Sequence, residues 1–169
     1  KLKAEDFHEQ LKTIAADLFV VVAFRMLPEV VWAMPPKGTI NLHASLLPNY
    51  RGAAPINWAI INGETESGVT TFFIEKEIDT GEIIEQSKVS IGPNETVGEL
   101  YGRLMNLGAD VMHHTLMNLD EGMANAKSQD ELMQPNFKPA PKIFKQDCQI
   151  NFDQPVQSIH NFCRGLSPY

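Results

Sequence analysis

The chain has 169 residues, 43% of them hydrophobic, which suffices for one domain of ordinary size with a real core. Its net charge of −7 excludes a broad phosphate-attracting surface, so a nucleic-acid partner would need basic residues gathered locally or supplied from outside this stretch. Two lone cysteines, Cys148 and Cys163, exclude a disulfide framework; with no membrane-length apolar run and no signal-peptide pattern at Lys1, the expectation is a soluble, cytoplasmic protein without a membrane partner.

In chain order, Ala4–Ala16 places Phe7, Leu11, Ile14 and Ala15 at helical spacing and predicts an amphipathic helix. Leu18–Phe24 is a continuous apolar run rich in β-branched residues, too short for an ordinary helix, and predicts a strand covered on both faces. Leu27–Met34 reads as a short helix closed by Pro35, Pro36 and Gly38. Thr39–His43 is the next strand, and Pro55–Asn62 a helix with Pro at its start and Gly63 past its end. Val69–Glu75 and Glu82–Val89 are further strands around the tight segment Asp79-Thr80-Gly81.

From Thr96 to Glu121 the pattern is helical. Thr96 and Glu99 match a capping box, Val97, Leu100, Leu104, Leu107 and Val111 form an apolar stripe, and Gly122 ends it. Residues 124–145 are polar and carry Pro135, Pro139 and Pro141, a linker composition. Cys148–Phe152 and Pro155–Arg164 then read as a new strand and helix, with Cys163 as packing material on the helix's apolar side.

Strands alternating with helices predict an α/β fold with a Rossmann-like, mainly parallel sheet and flanking helices. The domain organisation expected is a catalytic domain over 1–123, a linker over 124–145 and the start of a second domain over 146–169. Too few strands follow Leu18–Phe24 to cover it comfortably, so the sequence reads as a piece of a larger protein.

Asn41 and His43 stand two apart in a predicted strand, so both project from one face while Leu42 points the other way. Their position allows either the satisfaction of loop backbone or a site at the sheet's carboxyl edge, where α/β proteins bind ligands. The run from Ala44 to Pro55 is apolar and Pro-bounded, and must pack against core or against a flat ligand. Other patterns exclude themselves. Gly63–Gly68 lacks the Gly-Lys-Ser/Thr ending of a phosphate loop, and adjacent His113 and His114 point about 100° apart on a helix, unsuited to sharing a metal. Asp79-Thr80-Gly81 spells the aspartic-protease triplet, but one copy in an α/β chain does not supply the two facing carboxylates of that chemistry.

The run Asn41-Leu-His43-Ala-Ser45-Leu46-Leu47-Pro48-Asn-Tyr-Arg51-Gly52-Ala-Ala-Pro55-Ile, with Asp79-Thr-Gly81 lying 36 residues beyond His43, resembles the signatures of the folate-dependent formyltransferases. The resemblance runs from about Asp17 to Tyr169. It implies a catalytic trio of Asn41, His43 and Asp79, and a folate site bordered by Ser45, Leu46, Leu47 and Pro48. Phe24, Arg25, Met26 and Leu27 would meet the pterin ring mostly through backbone, with Ile74–Ile78 as the opposite wall. The implied co-substrate is 10-formyltetrahydrofolate, with no metal. In that chemistry an amine attacks the formyl carbon, Asn41 and His43 stabilise the tetrahedral oxyanion, and Asp79 assists the proton's movement.

Arg51-Gly52-Ala-Ala-Pro55-Ile, Pro139-Ala-Pro-Lys-Ile143, Cys148–Phe152 and Ile159–Tyr169 are similar to the branch of the family that formylates initiator methionyl-tRNA. That partner would be reached through regions outside this stretch, including earlier strands, a basic loop and a C-terminal domain. The alternatives are a formyltransferase acting on an amino sugar or another small amine, and a formyltetrahydrofolate hydrolase or dehydrogenase domain.

Overall fold

A computed structural model describes residues 2–23, 26–132 and 135–168. Four strands make one sheet in the order β1 (Phe19–Val22), β2 (Thr39–His43), β3 (Glu66–Phe73), β4 (Ile83–Ser90). β1 pairs with β2 in parallel, but β2 with β3 and β3 with β4 are antiparallel. The mainly parallel, Rossmann-like sheet expected from the element order is therefore corrected to a mixed sheet with flanking helices, most of whose pairings are antiparallel. The alternation of strands and helices does not fix direction. β3 and β4 are joined by a connection too short for the crossover that a parallel pair needs.

β3 also shows why an apolar, fully covered strand does not imply a parallel sheet. Ser67 to Phe72 are all buried. On one face Thr71 meets Thr115 of α4 (Val97–Asp120) through hydroxyls 2.8 Å apart. On the other, Thr70 Oγ1 donates to the Ser45 carbonyl at 2.6 Å. A helix covers one side and the loop after β2 covers the other. β1 is the converse case: Val20 and Val22 remain 44% and 53% exposed, so one face of this strand is open and the expected double cover is not found.

α4 carries the predicted capping box, with Thr96 Oγ1 accepting from the Glu99 amide and Glu99 accepting from the Thr96 amide. Its stripe Val97, Leu100, Leu104 and Val111 packs with Val69 of β3 and with Ala59 and Ile60 of α3 (Pro55–Ile61). Gly108 in that stripe admits Leu42 of β2, which would lie 2.7 Å from a Cβ placed there. A second cluster of Leu47, Phe72 and Ile83 lies on the opposite face of the sheet. The amphipathic N-terminal segment forms α1 (Glu5–Thr13), which buries no residue, and the short helix α2 (Glu29–Trp32) buries Val31. Among the described residues, no helix is long and apolar enough to cross a membrane.

Residues 124–132 and 135–140 run back over the domain. Lys127 bridges Ile83 in antiparallel fashion, a 3-10 turn over Gln129–Leu132 buries Gln129, and Ala140 bridges Gly52 in parallel. α5 (Val156–Gly165) docks on α3, where Asn57 Nδ2 donates to the Gly165 carbonyl at 2.8 Å. The strand expected at Cys148–Phe152 is absent. A 3-10 turn at Lys145–Cys148 leads into irregular chain, with Phe152 78% exposed, and among the described residues this segment pairs with none of the four strands. Cys163 is exposed rather than packed, since α5 turns Asn161, Arg164 and Gly165 inward instead.

Candidate active site

β2 brings Asn41 and His43 to the face shared with the second core cluster. In register they oppose Phe72 and Thr70, while the intervening Leu42 lies under α4. The two-residue period of a strand thus places both polar side chains together, as the sequence predicts. His43 is buried, and its ring stands edge-on to Phe72 at 6.4 Å. Its Nε2 lies 2.7 Å from the Tyr50 carbonyl. A carbonyl can only accept, so this nitrogen carries a proton and donates. The other ring nitrogen, Nδ1, faces Asp79 Oδ2 at 3.7 Å, within ion-pair reach but longer than a hydrogen bond.

Asp79 reaches His43 from the β3–β4 connection. Its backbone is left-handed, with φ +55, a conformation that Asp tolerates better than most residues. The same Oδ2 accepts the Gly52 amide at 2.9 Å. Tyr50 is also left-handed, with φ +63, and this turns its carbonyl toward His43. The Tyr50 hydroxyl donates to Glu64 at 2.6 Å and accepts from Asn62, and its amide donates to the Lys138 carbonyl. Burial, then the hydrogen bond to Glu64, pushes the Tyr50 phenol above its ordinary range. Burial opposes ionisation of Glu64, but hydrogen bonds from Lys138 and Tyr50 outweigh it and hold this carboxyl below its ordinary value.

Asn41 is half-buried, and its Oδ1 is enclosed with no hydrogen-bond partner among the described residues. An unpaired buried carboxamide oxygen is costly in a folded protein, and its presence beside a buried imidazole marks a place prepared for something polar.

The residues expected to border a folate fall into two groups. Ser45, Leu47 and Pro48 are buried and Leu46 is half-buried over Gly68. Thr70 and Gln86 pin this loop: the Leu47 amide donates to Thr70 Oγ1 at 3.2 Å, and Gln86 Nε2 donates to the Leu47 carbonyl at 2.8 Å. In the register of β1, Val21 lies beside Asn41 and Val22 beside Leu42. Beyond the strand Met26 is 70% exposed and Leu27 half-buried, while Phe24 and Arg25 lie outside the described residues. On the proposed opposite wall, the Ile74 amide donates to the Thr39 carbonyl and Ile78 is exposed.

Three contributors are not legible in the sequence. Gln129 is buried beside Asp79, Tyr50 supplies a carbonyl, and Ala140 locks Gly52. Gln129 and Ala140 lie in a stretch whose polar, proline-bearing composition carries no signal of burial, and a backbone carbonyl leaves no trace in side-chain chemistry. Burial pushes the Arg51 guanidinium down from its ordinary value, against the pull of Asp130 and Asp79. His114 Nδ1 lies 2.8 Å from Glu85, and among the described residues no three His, Cys, Asp or Glu side chains group as a metal site. A shallow concavity lined by Pro93, Glu95, Glu99 and Arg103 contains none of the trio.

The sequence profile described as "Formyl transferase" matches residues 1–116, and that described as "Formyl transferase, C-terminal domain" matches residues 142–169. The chain is similar to the methionyl-tRNA formyltransferase of Bacteroides fragilis, 54% identical over all of this chain and 52% of that protein. That of Parabacteroides distasonis is 56% identical over all of this chain and 53% of its own length. The chain thus spans about half the length of the curated relatives it matches. Among solved structures, a Helicobacter canadensis N-formyltransferase in complex with folinic acid and dTDP-3-aminofucose is 30% identical, with a TM-score of 0.66 over 75% of this chain and 46% of that one. A sugar N-formyltransferase from a Shewanella species shares the fold at a TM-score of 0.80, with 24% identity over 99% of this chain and 66% of that one. With the first profile covering most of its length, the chain belongs to the formyl transferase family.

Proposed function

We propose that this chain forms the catalytic part of an enzyme that transfers the formyl group of 10-formyltetrahydrofolate to the α-amino group of initiator methionyl-tRNA. The observation that carries the choice of acceptor is the identity of 54–56% to methionyl-tRNA formyltransferases across all of this chain. Residues 1–123 would be the catalytic domain, 124–145 the linker and 146–169 the start of a second domain. The net charge of −7 requires that the tRNA's phosphates be met largely by regions outside this stretch. Such an enzyme would work in the cytoplasm, where Cys148 and Cys163 stay reduced.

Chemistry follows from the trio. The neutral amine attacks the formyl carbon, a C–N bond forms, and the carbonyl oxygen takes the displaced electron pair. The Asn41 carboxamide donates to that oxyanion; its own oxygen, unpartnered among the described residues, can accept from the incoming amine. His43 Nε2–H moves from the Tyr50 carbonyl to the oxyanion, which is the stronger acceptor because it is charged. Asp79 balances positive charge on the ring from the Nδ1 side. Collapse breaks the bond from the formyl carbon to the folate nitrogen, and the amine's proton passes to that nitrogen, with His43 and Asp79 beside the path. Ser45–Pro48 and Phe24–Leu27 would flank the folate. No covalent intermediate with the protein is formed.

The test supplies 10-formyltetrahydrofolate to the complete protein with initiator methionyl-tRNA, an amino sugar, a ribonucleotide amine, or water alone as acceptor. Formylation of the tRNA is the expected result; formylation of the sugar alone, or hydrolysis alone, overturns this choice.

A further inference from the structure

We infer that Gln129 is a positioning residue for Asp79: its buried carboxamide holds the turn that aims the Asp79 carboxylate at His43. The inference rests on the proposed catalytic reading of Asp79. Gln129 is 2% exposed, and every hydrogen-bonding atom of its side chain is used. Oε1 accepts from Arg51 Nε at 3.0 Å and from Arg51 Nη2 at 2.6 Å. Nε2 donates to the Asp79 carbonyl at 3.0 Å and to the Gly81 carbonyl at 2.7 Å. The chemistry of the partners fixes the orientation of the amide, because a guanidinium only donates and a carbonyl only accepts.

The turn needs such a clamp. Asp79 is left-handed, a conformation a non-glycine residue keeps only when its surroundings determine it. Gly81 packs so closely on the Phe73 carbonyl that a Cβ has no room. Gln129 closes a ring: it binds the Asp79 main chain, Arg51 binds Gln129, and Gly52, the next residue, donates its amide to Asp79 Oδ2 at 2.9 Å. The carboxylate is thereby held from both ends. The segment bearing Gln129 is itself anchored by paired hydrogen bonds of 2.8 Å between Lys127 and Ile83. A glutamine is the one side chain of this length that donates twice on one side and accepts on the other. Glutamate keeps the Arg51 contact but sets a second oxygen against two carbonyls.

The test is a double-mutant cycle in the complete enzyme. Gln129→Leu and Gln129→Glu should each lower kcat about 10- to 100-fold, as expected for a displaced catalytic group, with KM for folate and acceptor little changed. The combination of Gln129→Leu with Asp79→Asn should be scarcely slower than Asp79→Asn alone, because the glutamine acts through that carboxylate. Arg51→Lys, which keeps the charge but loses the two-pronged donation, should fall in the same direction by less; it serves if Gln129→Leu does not fold. Full rate in Gln129→Leu beside a slow Asp79→Asn, a purely thermal effect with unchanged kcat, or losses that multiply in the double variant each overturn the inference. Full rate in Asp79→Asn alone instead overturns the catalytic reading of Asp79, and this inference with it.

Discussion

The Asp79 carboxylate and the His43 imidazole come within 3.7 Å of each other although the two residues lie on different sides of β3 in the chain. Because His43 Nε2 is already donated to the Tyr50 carbonyl, Nδ1 is the only ring nitrogen left to face the carboxylate. The imidazole is thus bracketed by two acceptors, the Tyr50 carbonyl and the Asp79 carboxyl, which orients the ring.

Asp79→Asn tests the charge in that pair separately from its shape. The new carboxamide oxygen can still accept the Gly52 amide, so the turn should persist and the melting temperature should change little. The rate should fall by about 10²–10⁴, the usual worth of a positioned proton-transfer group. An unchanged rate and pH–rate profile in the complete enzyme would remove this carboxylate from the mechanism.

Asn41→Ala separates chemistry from stability more sharply. The side-chain oxygen of Asn41 has no partner to lose among the described residues, so folding should be almost indifferent. Loss of an oxyanion donor commonly lowers kcat by about 10²–10³. Steady-state kinetics beside a thermal melt decide the matter; a melt that collapses while the residual folded enzyme turns over normally would make Asn41 a structural residue.

Much of this site is legible in the sequence, and the limits have physical causes. Asn41-x-His43 shares a face because strand side chains alternate, and α4 begins at Thr96 because its box of Thr96 and Glu99 is local. The direction of the sheet is not legible, since β3 owes its double cover to Thr115 from one side and to Ser45 from the other, and neither neighbour is signalled within the strand. Only the resemblance sets Asp79 beside His43, because nothing in the local pattern of 74–82 says where the turn points. Gln129 is not legible either, because its contact with Arg51 spans 78 residues of chain and its neighbourhood has the composition of a linker. The segment Cys148–Phe152 is the opposite case: its pattern suits a strand, but strand formation needs a pairing partner, and among the described residues it pairs with none of the four strands.

The Tyr50–Glu64–Lys138 cluster gives a pH signature. The Glu64 carboxyl is held below its ordinary value of 4.5 in the folded protein, so it contributes stability that is fully present above that value and is lost as pH falls through the lower folded value. Melting temperatures recorded from pH 7 downward should therefore decline more steeply for the parent than for Glu64→Gln. The gap between them should narrow below pH 4.5. Parallel curves would show that the carboxylate's partners, Lys138 and the Tyr50 hydroxyl, contribute nothing to stability.

Gly52 joins the two halves of the site, and its replacement should damage both stability and rate. Its φ of +125 lies where side chains are rarely accommodated, and a Cβ there would run into the Ala140 carbonyl. Gly52→Ala must therefore strain the backbone, at about 1–3 kcal/mol, or push Ala140 away. The second course also costs the hydrogen bonds from the Ala140 amide to the Arg51 carbonyl and from the Ala54 amide to the Ala140 carbonyl, at 2.8 and 3.2 Å. Either shift moves the Gly52 amide off Asp79 Oδ2, so the urea midpoint and kcat should fall together. The neighbouring exposed position supplies the control: Ala53→Ser should stay within about 0.5 kcal/mol of the parent. If Gly52→Ala matched that control in both midpoint and turnover, the close approach of residues 124–140 to the Asp79 turn would have no part in holding the carboxylate.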